Sequence, residues 1–98
     1  MVKSTVHARE RLKERNGIPK SAIGRIIERA YTSGLKREDT KGQLRAYLDE
    51  QYRKNGGFGD ELRVYGDYLY VFHENKLITV FTIPQKLRKF VKINKENV

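Results

Sequence analysis

The sequence contains no cysteine and no tryptophan, and it has one methionine and two prolines among its 98 residues. Without cysteine there is no disulfide framework, no thiolate zinc site and no cysteine nucleophile. No run approaches the ~18 apolar residues that a membrane-spanning helix requires. Residues 1–15 contain no apolar segment, so we expect no secretory signal peptide and a cytoplasmic location.

Positive charge is in excess, because 21 lysines and arginines face 12 aspartates and glutamates, for a formal net charge of +9. Residues 1–56 hold 14 basic and 7 acidic residues, residues 57–83 hold two and four, and residues 84–98 hold five and one. The basic surface therefore comes from the two ends of the chain. This excess favours a polyanionic partner, nucleic acid first and an acidic protein second, rather than a membrane.

The first half of the chain has the apolar spacing of helices. A first helix is predicted to run from a cap at Ser4 or Thr5 to about residue 15. A second helix has apolar residues at i, i+3, i+4, i+7 and i+8 counted from Ile23. A third helix is predicted over residues 40–55.

The second half changes to the period of strands. Residues 61–65, 68–73 and 76–83 are rich in β-branched and aromatic side chains, and tight-turn pairs Gly66-Asp67 and Glu74-Asn75 separate them. Three strands joined by two short turns form an antiparallel meander.

These patterns predict an α+β fold in one domain over residues 1–98. The N-terminal helices are expected to pack on a three- to four-stranded antiparallel meander sheet, followed by a short C-terminal helix or tail. The helical part is 1–56, the sheet is 60–83, and the basic tail is 84–98. The glycine-rich stretch over residues 56–59 is predicted to be a flexible linker.

His7, Arg11 and Arg15 are spaced i, i+4, i+8 and form one row on the first predicted helix. An imidazole can exchange a proton near neutral pH, and guanidinium groups can hold a phosphate by paired hydrogen bonds. His73, at the end of the second predicted strand, can complete an acid–base pair for RNA cleavage without metal. The alternative is that the row is a solvated basic face and that His73 is an exposed turn residue.

Other polar residues extend this hypothesis. Thr79 in the last strand can donate a hydroxyl to a phosphate, and the strand aromatics form either a core or a base-stacking surface. We find no zinc-protease motif, no Walker loop and no carboxylate cluster with metal spacing, so we expect no metal and no cofactor. The basic residues predicted to contact nucleic acid are Arg15, Lys20, Arg25, Arg29, Lys86, Arg88 and Lys89.

The opening VHARERLKERNGI resembles the H-x-x-x-R-x-x-x-R-G-I opening of a small family of uncharacterised bacterial and phage proteins. That family is grouped with the RelE-like toxins in the barnase–colicin–RelE ribonuclease fold. The matching residues are His7, Arg11, Arg15 and Ile18, with Asn16 inserted before Gly17. The strand VFHENKLITVFTI is similar to the closing hairpin of the family, whereas the helix over residues 40–55 is an addition.

The resemblance implies a RelE-like fold and a metal-independent endoribonuclease, of the kind that an acidic antitoxin neutralises. His7 and Arg11 would be its helix-borne polar residues, Arg63 its strand cation, and Thr79 or Thr82 its last-strand hydroxyl. The candidate catalytic set is therefore His7, Arg11, Arg63, His73 and Thr79.

Three classes of function fit these residues. The first is a RelE-like endoribonuclease or an RNA-binding, toxin-like protein, with RNA preferred to DNA. The second is a nonenzymatic nucleic-acid-binding module, because residues 12–31 contain a helix, a turn and a second helix. The third is a phage-type factor that docks on an acidic host protein.

Overall fold

Five strands form one sheet in this structure, a computed structural model that describes residues 2–54 and 61–96. Their order across the sheet is β1-β5-β4-β3-β2. The predicted linker over residues 56–59 lies outside the described residues. The strands are β1 (Lys3–Ser4), β2 (Leu35–Lys36), β3 (Glu61–Tyr65), β4 (Tyr68–His73) and β5 (Lys76–Thr82).

The three long strands pair antiparallel in chain order, but the sheet as a whole is mixed. β1 runs parallel to β5 and β2 runs antiparallel to β3, so the outer strands extend the sheet on both sides. The predicted antiparallel sheet of three or four strands is therefore wrong in strand number and in strand direction. Each outer strand has two residues, which is too short to show the alternation that predicts a strand.

Helices cover both faces of the sheet. The helices α1 (Val6–Asn16) and α2 (Lys20–Ser33) pack on one face, and α3 (Gly42–Lys54) and α4 (Arg88–Glu96) pack on the other. The α+β class is confirmed. The N-terminal helices do not form one layer on the sheet, because α3 packs with α4 on the face opposite α1 and α2. In the described part of the chain, no helix combines the length and the apolar content needed to cross a membrane.

Alternation along β4 divides the core between the two faces. Tyr70 and Phe72 are buried against α1 and α2, and Leu69 and Val71 are buried against α3 and α4. Burial, together with neighbouring tyrosines, raises the pKa of Tyr70 to about 12, so its ring enters the core neutral. Tyr70 and Phe72 therefore belong to the core and present no base-stacking surface.

The ends of α1 follow local signals in the sequence. The Thr5 hydroxyl accepts a hydrogen bond from the Ala8 backbone N–H at 3.0 Å, which caps the first turn. Gly17 ends the helix with a φ of 61°, a left-handed conformation that glycine adopts without a steric cost. Of the two predicted caps, Thr5 is the one used, and the helix ends one residue beyond the predicted end at about residue 15.

Two arginines bind one carboxylate of α3, the first helix of the second layer. Arg37 follows β2 and donates to Asp49 of α3 at 2.7 Å, and its guanidinium lies 4.4 Å from the centroid of the Tyr52 ring. Arg45 donates to the same carboxylate at 3.0 Å. Hydrogen bonds from Arg37 and then Arg45 hold the pKa of Asp49 below its usual range. These contacts hold α3 beside β2, on the face away from α1.

Close packing at the end of α2 gives a stability prediction. A Cβ at Gly34 would lie 2.9 Å from the Cβ of Arg63 and would also overlap the Ala30 carbonyl oxygen. We expect Gly34→Ala to lower the free energy of unfolding by about 1–3 kcal/mol, as measured by urea denaturation.

The matched control is Gly24→Ala within the exposed face of α2, where an added Cβ meets no atom within 4 Å. This change should stabilise the chain by roughly 0.5–1 kcal/mol, because alanine is the better helix former. Equal effects of the two substitutions would contradict the packing at Gly34.

Candidate nucleic-acid interface at the edge of the sheet

The outer edge of β5 is where α1 meets the sheet. β1 pairs only with the first two residues of β5, so the rest of this edge has no neighbouring strand among the described residues. The Thr5 hydroxyl donates to the Ile78 carbonyl at 3.1 Å, and Arg11 Nε donates to the Val80 carbonyl at 3.1 Å. The start of α1 therefore covers carbonyl groups that would otherwise invite another strand.

Arg11 is held in one orientation on this edge. Its Nε is bonded to the strand, its guanidinium carbon lies 5.7 Å from the centroid of the Phe81 ring, and the side chain is half-buried. The two Nη groups form no hydrogen bond or ion pair with the described residues. A guanidinium fixed through Nε offers these Nη groups as a pre-organised fork for a phosphate.

His7 lies on the same row of α1, one turn before Arg11, and its side chain is exposed. Thr5 and Arg11, on either side of it in the chain, both contact β5, so His7 lies in the part of α1 that is attached to this strand. Helical spacing puts His7 one turn from Arg11 on the same row of the helix. The side chain of Arg15, the next residue of the row, lies outside the described part.

Three side chains on the sheet approach this edge from the face away from α1. Thr79 pairs with Val71, whose side chain packs against α3 and α4, and Phe81 packs against the same core. His73 lies two residues beyond Val71 on β4 and therefore on the same face, but a register shift between Val71 and Phe72 separates it from the pair that Val71 forms with Thr79. Thr79, Phe81 and His73 are all half-exposed.

We define the β5-edge site as His7, Arg11, Thr79 and Phe81, with His73 at its border. The His73 Nε2 atom lies 4.0 Å from a carboxylate oxygen of Glu74, so a protonated imidazole has an anion beside it. The site thus combines a cationic fork, two imidazoles, a hydroxyl and an aromatic ring. Sequence reasoning did not select Phe81; its spacing of two from Thr79 along one strand was the available signal.

Arg63 lies apart from this site. It is on β3 in the same cross-strand row as Tyr70 and Val80, so its Cα is two strand spacings, about 10 Å, from the edge strand. Tyr70 is fully buried between the two positions. The structure therefore does not bring Arg63 together with His7 and Arg11.

Buried hydrogen bonds account for Arg63. Its Nε donates to the Tyr31 carbonyl at 3.2 Å, Nη1 donates to the Leu62 carbonyl at 3.1 Å, and Nη2 pairs with Glu61 at 3.3 Å. The Tyr31 hydroxyl lies 3.2 Å from a carboxylate oxygen of Glu61 and within hydrogen-bond reach of the Asn75 side chain, and its one hydrogen serves either acceptor. This network joins the end of α2 to β3 and to the β4–β5 turn.

The remaining predicted contacts to nucleic acid are divided between the two helix layers. Lys20, Arg25 and Arg29 are exposed along α2, whereas Lys86 is exposed in the 3₁₀ turn before α4 on the opposite layer. The same layer holds Lys89, which is exposed, and Arg88, whose Nε donates to the Ile83 carbonyl at 3.2 Å. Among the described residues, no group of three or more histidines and carboxylates is placed to hold a metal ion.

The position of Arg63 predicts a structural effect on substitution. We expect Arg63→Ala to lower the free energy of unfolding by about 3 kcal/mol, because it leaves Glu61 without its buried cation. The control Arg25→Ala, on the exposed face of α2, should change it by less than about 0.5 kcal/mol. Chemical denaturation measures the free energy of unfolding of both variants. An unchanged denaturation midpoint for Arg63→Ala would contradict a structural role and make Arg63 a candidate functional residue again.

Comparisons with protein-family models, with curated proteins and with solved structures found no match to this chain.

Proposed function

We propose that this chain is an RNA-binding protein that holds a phosphodiester at the β5-edge site. The observation that carries the proposal is the Arg11 guanidinium, which is held through Nε and lies 5.7 Å from the centroid of the Phe81 ring while both Nη groups are available. A bound phosphate can take two parallel hydrogen bonds from this fork. The net charge of +9 favours the approach of a polyanion.

The neighbouring side chains fit a nucleotide around that phosphate. The Thr79 hydroxyl can donate to a second phosphate oxygen, and the half-exposed Phe81 ring offers an apolar surface to an adjacent ribose or base. Single-stranded RNA suits this arrangement, because its bases are free to leave a stack. The resemblance of the His7–Arg11 opening to RelE-like proteins supports RNA as the polymer.

Removal of the guanidinium fork should weaken RNA binding. We expect Arg11→Gln to raise the Kd for a short single-stranded RNA about tenfold at low salt, since a charge-assisted contact is lost. The slope of log K against log salt should fall by about 0.7. Fluorescence anisotropy of a labelled oligonucleotide measures both quantities.

Two variants control this experiment. Arg53→Gln removes an exposed charge from α3 and should leave the Kd nearly unchanged, whereas Arg11→Lys keeps the charge without the fork and should give an intermediate Kd. Circular dichroism checks that Arg11→Gln still folds. Equal Kd values for wild type and Arg11→Gln would contradict the site, and tight binding to one DNA duplex would favour α2 as a recognition helix instead.

Cleavage of RNA without a metal is a second candidate function, favoured by the position of His7 one turn from the Arg11 fork. His7 would remove the proton from a ribose 2′-hydroxyl, and the 2′-oxygen would attack phosphorus. The bond from phosphorus to the 5′-oxygen then breaks, and a protonated His73 would donate a proton to that oxygen. The products are a 2′,3′-cyclic phosphate and a 5′-hydroxyl, and Arg11 would stabilise the added charge on phosphorus.

This mechanism predicts cleavage in the presence of EDTA. We expect His7→Ala to slow it by at least about 100-fold, and RNA with a 2′-deoxyribose at the cleaved position to be resistant. Gel analysis of an end-labelled RNA gives the rate and the product ends. Lys92→Ala on α4 is the control and should leave the rate unchanged. An unchanged rate in His7→Ala would contradict cleavage by this site. It would not contradict RNA binding, which Arg11→Gln tests separately.

A further inference from the structure

A groove lies between α1 and α2 on the outside of their layer, on the flank of α1 away from His7 and Arg11. Its volume is about 420 Å³, and more of its surface is apolar than polar. Positions 6, 9, 10 and 13 of α1 share this flank by helical spacing. The lining residues are Val6, Arg9, Glu10, Lys13, Lys20 and Ile23.

Val6 is the unusual residue of this groove. Its side chain is 73% exposed, and it is the only large hydrophobic side chain that is exposed among the described residues. A single exposed valine needs no explanation on a surface. Here, however, it borders a concave surface whose other apolar residue, Ile23, belongs to the core.

Cations surround the apolar floor. A second groove of about 470 Å³, also more apolar than polar, adjoins the first at Arg9 and is lined by Val2, Lys3, Ser4 and Lys76 as well. Lys3, Lys13, Lys20 and Lys76 are exposed and form no ion pair with a described residue. Across both grooves, five cations face one carboxylate, that of Glu10.

We propose that the two adjoining grooves, together called the α1–α2 groove, bind an acidic amphipathic helix of a partner protein. The valines and Ile23 would contact the aliphatic side of that helix, and the lysines would pair with its carboxylates. A protein is favoured over nucleic acid because the lining has no aromatic ring on which a base can stack. Its one guanidinium, that of Arg9, already donates to the Ser4 hydroxyl at 3.2 Å.

The opposite flanks of α1 make this surface independent of the proposed RNA site. Arg11 donates to β5, and neither it nor His7 lines the groove, whereas Val6 and Lys13 do. A partner helix in the groove therefore leaves the Arg11 fork accessible. Failure of RNA binding would therefore not contradict the binding of a helix in this groove. Failure of helix binding would likewise not contradict the RNA site.

The test uses the full chain and a synthetic helical peptide of about 18 residues, which is five helical turns. Leucines at i, i+3, i+4 and i+7 form one face, and glutamates occupy most other positions. Isothermal titration at low salt should give a Kd of about 1–10 μM, as expected for a small interface. The affinity should fall as salt is raised to physiological strength, because the ion pairs are exposed.

Three variants locate the peptide. Val6→Asp and Lys13→Glu should each raise the Kd about tenfold, whereas Lys89→Glu, which changes an exposed lysine on α4 of the other layer, should leave it unchanged. A peptide of the same composition with scattered leucines should bind more weakly. Thermal unfolding confirms that each variant is folded, and Val6 and Lys13 are exposed enough that neither change removes a core contact.

Four results would overturn the proposal. These are no binding by the amphipathic peptide, equal binding by the scattered peptide, equal binding by Val6→Asp, and an effect of Lys13→Glu on RNA but not on the peptide. The last would assign the surface to nucleic acid. Dimerisation of the chain that Val6→Asp abolishes, without peptide binding, would assign it to a second copy of this chain.

Discussion

The cover that α1 places over the edge of β5 is the interaction on which the rest of the structure depends. β1 is two residues long, so it protects only the start of that edge. Thr5 and Arg11 complete the protection by donating to the Ile78 and Val80 carbonyls. The same two bonds fix how α1 is rotated, and helical spacing then sets His7 one turn before Arg11. Edge protection and the candidate site are therefore consequences of one contact.

The second helix layer determines which part of the sheet stays available. Helices α3 and α4 bury the side chains of β3 and β4 on their face, including Val64 and Val71. Their cover becomes partial at β5, where Thr79 and Phe81 remain half-exposed. Side chains of β5 therefore remain available for a functional surface, and β5 is the strand to which Arg11 is attached. The layer of α3 and α4 therefore leaves β5 as the strand on this face that lies next to Arg11.

Local signals were sufficient for α1, α2 and the meander, because caps, glycine stops and tight turns act within a few residues of the chain. The sequence pattern did not predict the strands β1 and β2, because a segment of two residues is too short to show the alternation of apolar and polar side chains. The face chosen by α3 depends on Arg37 and Asp49, which are 12 residues apart. Arg63 alternates with Leu62 and Val64 as a solvent-facing cation would, and only the approach of Tyr31 shows that it is buried.

The excess charge of the chain has different roles in different places. Arg37, Arg63 and Arg88 are bonded to carboxylates or carbonyls and act within the fold. The charge available to partners near α1 is of two kinds. On one flank a guanidinium is held against β5 near the Phe81 ring, and on the other exposed lysines border aliphatic side chains. Guanidinium forks suit phosphates, and ammonium groups around an apolar floor suit carboxylates on an amphipathic helix. If both proposals hold, one basic helix serves an RNA and a protein at the same time, since neither needs the flank of the other.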